Sequence, residues 1–136
     1  MNKVEIELAK KQLTDADLDY FEKEYNKKLP QNFRKYLLKY NGGLVENRDD
    51  LDILLSLLEG NKIEHWVRSH QILEQNIDPD YLPFANDHTN NPYCLILKEG
   101  DDYGKVVFIE MDFQSDEYIV ADSLEEFLGV ESIDDL

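Results

Sequence analysis

Apolar and polar residues change period several times along the chain, and each change predicts an element. Near the start, Val4, Ile6 and Leu8 alternate with Glu5 and Glu7, the two-residue period of a strand with one wet face. From Leu13 the period lengthens. "LTDADLDYFEKEYNKK" offers Thr14 as N-cap and acids in the first turn. Leu18, Phe21 and Tyr25 lie on one stripe, and lysines at the end suit the helix dipole, so an amphipathic helix is predicted. Pro30 suits the first position of a second helix, in which Phe33, Leu37 and Tyr40 recur at i, i+4 and i+7. Asn41-Gly42-Gly43 is read as its stop, because Asn and Gly adopt the left-handed conformation that closes a helix.

The middle is less legible. "LDILLSLLEGN" fits a buried strand or a short helix, since periodicity does not separate the two over so few residues. "KIEHWVRSHQILEQ" reads as helical, with Ile63, Trp66, Val67 and Ile72 on a rough common face. After Pro79 and Pro83 the pattern turns to β. "YCLILK" and "KVVFIEM" flank the turn "EGDDYG" and predict a hairpin pairing 93–98 with 105–111. A short strand, "EYIVA", leads to a last helix whose capping box is either Asp122 with Glu125 or Ser123 with Glu126. Helices, then strands, then a helix, without regular βαβ alternation, predict a single α+β domain over residues 1–136 with a mainly antiparallel sheet. Leu18, Phe21, Phe33, Leu37, Phe84, Leu95, Val107 and Phe127 are its expected core.

Charge narrows the range of partners. The 136 residues carry 30 acids against 14 bases, a formal net charge of −16. Residues 1–40 contribute +2, 41–105 contribute −8 and 106–136 contribute −10, with no Lys or Arg in the last segment. Direct nucleic-acid binding is disfavoured, because it is driven by Lys and Arg releasing counterions from phosphates. The longest apolar cluster, "ILLSLL" at 53–58, is too short to cross a bilayer, so no membrane partner is expected. Cys94 is the only cysteine, and no charged-then-apolar leader stands at the N-terminus, so a cytoplasmic protein without disulfides is the expectation.

The polar knot "LPFANDHTNNPYCLIL" places Asp87 beside His88. Adjacent residues in an extended segment point in opposite directions, so the pair shares no proton path. Asp87 is instead read as accepting backbone N–H groups just ahead of it, with Asn90 and Asn91 tolerating the positive φ of a turn. His65 and His70, five apart, do not align on a helix as metal ligands. The loop from Glu99 to Glu110 echoes a calcium loop only in part, since Tyr103 replaces a ligand and strands flank it. No catalytic residue, cofactor or metal is expected.

Five ordered blocks carry a resemblance. They are Leu29-Pro30 with Phe33 and Tyr36-Leu37; Asn41-Gly42-Gly43; Leu82-Pro83-Phe84-Ala85 with Asp87; Tyr93-Cys94-Leu95 and Gly104-Lys105-Val106; and Ala121-Asp122-Ser123 with Phe127-Leu128. Over residues 20–128 the chain resembles the SUKH superfamily of bacterial toxin-immunity proteins and relatives of the yeast cell-wall assembly regulator. Two departures are His88-Thr89-Asn90-Asn91, where glycines often follow the Asp, and Ser123-Leu124, where the family usually has Ser-Phe.

The resemblance implies a compact α+β fold and a binding role, either as an immunity protein neutralising a cognate toxin or as a regulatory interaction module. The acidic bias favours the first, with a basic, nuclease-type toxin as partner, because complementary fields raise association rate and selectivity. Leu29, Pro30, Asn41, Gly42, Gly43, Pro83, Phe84, Asp87 and Gly104 are then structural. The candidate toxin contacts are Asp49, Asp50, Asp52, Asp78, Asp80, Asp101, Asp102, Asp112, Asp116 and Glu117, in loops or at strand ends, with Tyr103 and Tyr118 as aromatic anchors.

Overall fold

A capping box starts the first helix, α1 (Asp15–Tyr25), in the computed structural model, which describes residues 1–112 and 116–136. Thr14 Oγ1 accepts the Asp17 N–H and the Asp17 carboxylate accepts the Thr14 N–H, so two otherwise unpaired donors are satisfied reciprocally. Leu18 and Phe21 are buried, and Asn26, at φ 51°, closes the helix. The second helix, α2 (Gln31–Lys39), begins one residue later than expected, with Pro30 just outside it as the cap. Its buried residues are Phe33, Tyr36 and Leu37. Tyr40, expected on that stripe, has already left the helix for extended backbone and is half-buried.

Asn41-Gly42-Gly43 is therefore not a left-handed helix stop; it is a crossing point of three chain segments. The Asn41 side chain donates to the Lys11 and Leu57 carbonyls, both at 2.9 Å, and accepts the Leu57 N–H at 2.8 Å. Gly42, at φ +69°, lies so close to the neighbouring strand that a Cβ there would stand 2.4 Å from the Leu54 carbonyl oxygen. The glycine is demanded twice, by backbone conformation and by space.

Among the described residues, seven strands form one sheet in sequence order, every neighbouring pair antiparallel. They are β1 (Ile6–Glu7), β2 (Gly43–Val45), β3 (Ile53–Leu54), β4 (Tyr81–Asn86), β5 (Pro92–Ile96), β6 (Val106–Glu110) and β7 (Asp116–Ala121). The expected hairpin is present, with Tyr93, Cys94 and Leu95 opposite Phe108, Val107 and Val106. The first strand is shorter than its alternation predicts: Val4 is buried, but Leu8 sits at φ 53° and is 70% exposed. A residue in left-handed backbone cannot continue a strand.

"LDILLSLL" resolves as a strand, β3, followed by buried loop. Helix α3 (Ile63–Trp66) widens into a π-helical segment, Val67–Leu73, where Glu74 N–H reaches back to the Ser69 carbonyl. The wider turn carries Ile72 away from Ile63, Trp66 and Val67, leaving it 56% exposed rather than on their buried face.

Pro83 lacks the N–H that a central strand uses, and the sheet answers with a β-bulge. Pro83 pairs with Cys94 and Ala85 with Tyr93, so Phe84 is the extra residue. Its ring lands between Phe33 of α2 (5.9 Å between centroids, 75° between planes) and Phe127 of the last helix, α4 (Leu124–Leu128; 5.4 Å, 78°). Both pairs are edge-to-face, the arrangement aromatic quadrupoles favour. Ser123 caps α4 through the Glu126 N–H, and all eight residues expected in the core are buried. No helix among the described residues is long and apolar enough to cross a membrane.

Two of the three family-motif glycines, Gly42 and Gly104, separate space from conformation. Gly42→Ala should cost at least about 3 kcal/mol, because a strained φ is joined by a backbone clash. Gly104→Ala, at φ +84° with nothing within 4 Å, should cost about 1 kcal/mol. Urea denaturation of the two variants measures the difference.

Candidate interaction surface

Strictly alternating strand directions sort the loops to two ends of the sheet. At one end lie the β2–β3 loop, the β4–β5 turn and the start of β7, because Ile53 is opposite Asn86 and Glu110 opposite Asp116. This end holds Asp49, Asp50, Asp52, Asp112 and Asp116. At the other end, β4 begins beside the β5–β6 loop, where Leu97 N–H donates to the Asp80 carbonyl. That end holds Asp78, Asp80, Asp101, Asp102 and Tyr103. Glu117 and Tyr118 lie along β7 between the two. The twelve candidates thus occupy two ends and an edge, not one patch.

The two ends differ in charge. At the Tyr103 end, Lys98 stands 3.7 Å from Asp78 and Lys105 3.2 Å from Asp102. A cleft of about 740 Å³ there is lined by Tyr25, Lys27, Lys28, Pro79, Asp80 and Tyr103 among others, so its polar wall is mixed. Burial pushes the Lys27 ammonium below its usual range despite Asp80 and Asp78 nearby, and its Nζ donates to the Pro79 carbonyl.

At the opposite end the one Lys or Arg of the β2–β3 loop and the β4–β5 turn, Arg48, points inward with only 4% of its side chain exposed. It donates through Nε and Nη2 to the two oxygens of Asp50 at 3.0 and 2.8 Å, and through Nη1 to the Phe127 and Asn2 carbonyls. Its guanidinium carbon stands 5.2 Å from the centre of the Phe127 ring. The hydrogen bonds from Arg48 hold the Asp50 carboxyl below its usual range. Asp50 is consequently committed to the fold, whereas Asp49, Asp112 and Asp116 are exposed and Asp52 is half-exposed, 3.5 Å from His88. Charge on Glu110, with lesser help from desolvation and Asp116, raises the Tyr118 phenol above its usual value.

Asp87 ties the turn that separates β4 from β5. Its Oδ1 accepts the Thr89 N–H at 2.9 Å and the Asn91 N–H at 2.8 Å, and the Thr89 hydroxyl bonds both oxygens. Of the two asparagines, only Asn90 takes positive φ, at 65°. Asn91 uses its side chain instead, with Nδ2 donating to Thr89 and Oδ1 accepting the Met111 N–H, which joins the turn to the end of β6. The Asp87 carboxylate is occupied by its own loop, and His88 turns to Asp52. Burial raises the Cys94 thiol well above its usual value, which removes its thiolate character. Among the described residues, no group of three or more His, Cys, Asp or Glu is placed to hold a metal ion.

Two features of this surface escape the sequence pattern. Ile119 is 49% exposed beside Tyr118 at 47%, although "EYIVA" resembles the buried strands before it. Arg48, the fixed point of the acidic end, sits in a polar run that reads as solvated loop. Only the net charge of its surroundings hinted that a lone base there needed a partner.

The geometry defines an antiparallel α+β domain with one acid-rich end of its sheet. The chain belongs to the SMI1 / KNR4 family (SUKH-1), whose model matches residues 12–129. A solved protein from Pseudomonas syringae pv. tomato shares the fold, with a TM-score of 0.64 at 11% identity, over 97% of this chain and 91% of that one. No curated protein matches the chain.

Breaking the Arg48 site should be costly and pH-dependent. Asp50→Asn weakens the pairing of a buried guanidinium and should lower stability by on the order of 2 kcal/mol at pH 7. A carboxyl whose folded pKa is depressed stabilises above its unfolded value, about 3.9, and that contribution fades as pH falls through the folded value. Denaturation curves of wild type and Asp50→Asn should therefore converge below about pH 4. Asp87→Ala, which removes the acceptor of the exposed Thr89 N–H and the part-buried Asn91 N–H, should cost about 1 kcal/mol by the same measurement.

Proposed function

We propose that this chain is an immunity protein that binds a cognate, basic, nuclease-type toxin and neutralises it by covering its working surface. The SUKH-1 family membership supports a binding module of the immunity or regulatory kind. The observation that carries the reading further is the acidic end of the sheet. Asp49, Asp112 and Asp116 are exposed there, while the one Lys or Arg of the β2–β3 loop and the β4–β5 turn, Arg48, is turned inward and neutralised by Asp50.

A nuclease holds a phosphate backbone with Lys and Arg, so an inhibitor presenting fixed carboxylates competes for the same side chains. The field also accelerates encounter and rejects acidic partners. The role is binding rather than catalysis. Asp87 and His88 are each engaged elsewhere, and the buried thiol of Cys94 is not available as a nucleophile. Tyr118, at the centre of the edge strand and 47% exposed, is the better aromatic anchor; Tyr103 lies at the end where lysines dilute the field.

If the reading holds, the gene adjoining this chain's encodes the toxin, and the test measures association with that product by stopped flow between 20 and 500 mM salt. Asp49→Lys, Asp52→Lys, Asp112→Lys and Asp116→Lys combined should slow association at low salt at least tenfold and flatten its salt dependence. Tyr118→Ala should raise the dissociation constant about thirtyfold, corresponding to about 2 kcal/mol. Equal, weak salt dependence in wild type and variant would reduce the acidic field to a solubility feature.

A further inference from the structure

Edge strands expose unpaired N–H and C=O groups, and proteins ordinarily blunt them by shortness, by lysine or proline, or by a cover. The β1 edge is blunted, being two residues long. The β7 edge is not. It runs six residues, about 20 Å, and contains neither proline nor a basic residue.

The register shift opposite Val106 and Val107 falls at Val120, so Asp116–Ile119 run in unbroken register with Val107–Glu110. Alternate residues of that run turn their N–H and C=O away from β6. Among the described residues, no backbone hydrogen bond outside the β6 ladder reaches 116–121. The side chains are also uncovered, with Tyr118 and Ile119 on opposite faces at 47% and 49% exposure.

We infer that β7 is a docking edge that takes an extended, lysine- or arginine-bearing strand of the partner into the sheet. An added strand would pair the outward backbone groups and cover Tyr118 on one face and Ile119 on the other. Charge selects the occupant. Glu110, Asp112, Asp116 and Glu117 surround the edge, and residues 106–136 hold no Lys or Arg. A second copy of this chain would bring another −16 and, at the same edge, the same acids, with no Lys or Arg in residues 106–136 to offset them. A strand with basic side chains on the face of Asp116 and apolar ones over Ile119 gains where a second copy would lose. The inference rests on the proposed binding role and narrows its surface.

Three blocked hexapeptides test it at 50 mM salt: one alternating lysine with valine, one with glutamate replacing lysine, and a copy of the first N-methylated at every residue. Titration of the ¹⁵N-labelled protein gives affinities, and amide exchange gives the location. The lysine peptide should slow exchange of alternate amides within 116–121 and bind at least tenfold more tightly than both others. N-methylation leaves charge and side chains in place, so a methylated copy binding within twofold of its parent would overturn strand addition. Slowed amides lying elsewhere would do the same. In both cases the lysine-over-glutamate preference would persist and the acidic-surface reading would survive; loss of that preference would overturn the two together.

Discussion

The ring of Phe127 is the point on which the structure turns. It meets Phe84 at 5.4 Å and Tyr93 at 4.9 Å, while the guanidinium of Arg48 lies over it at 5.2 Å. Its backbone carbonyl also accepts a hydrogen bond from Arg48. A five-residue helix near the C-terminus thereby fixes the bulged centre of the sheet and the loop that carries the acids. Burying an arginine is costly unless its donors are paired, and here Asp50, two carbonyls and an aromatic face supply the partners. The arrangement removes the loop's one positive charge from the surface.

That removal links packing to function. Had Arg48 pointed outward, it would have screened the carboxylates around it, and this end of the sheet would resemble the lysine-containing opposite end. The Asp87 turn complements it from the neighbouring loop. Asn91 ties that turn to Met111 at the end of β6, and the Tyr93 hydroxyl donates to the Asp50 carbonyl, so the turn is braced against both the β2–β3 loop and the end of β6. Preorganised side chains lose less entropy on binding than those on a loose loop. The edge strand β7 extends the same acidic surface along the sheet with backbone groups that remain free to pair.

Much of the fold was legible in local sequence. The Thr14 and Ser123 caps, the buried stripe of α1, the hairpin of β5 and β6 and the family blocks depend on neighbours within a turn or a strand pair, and the three- to four-residue and two-residue periods record them directly. Where the reading erred, a long-range partner or an irregular local backbone had decided. Asn41 looks like a helix stop, yet its side chain bridges Lys11 and Leu57, residues that only the fold brings together. Ile72 fits a helical face until the π-helical widening rotates it outward. Leu8 continues an alternation that its own left-handed backbone ends.

The sequence alone determined the class of the protein, its mainly antiparallel α+β plan, the core residues and the strong negative charge, because propensity, period and composition are local or additive properties. It also placed Asp87 in its turn, since that carboxylate is satisfied within four residues. Only the tertiary structure decided which acids share an end of the sheet, which of them is spent on a buried arginine, and which strand is left open. Those outcomes follow from strand direction and from sheet order, and both are set by pairings between segments distant in the chain that no local window contains.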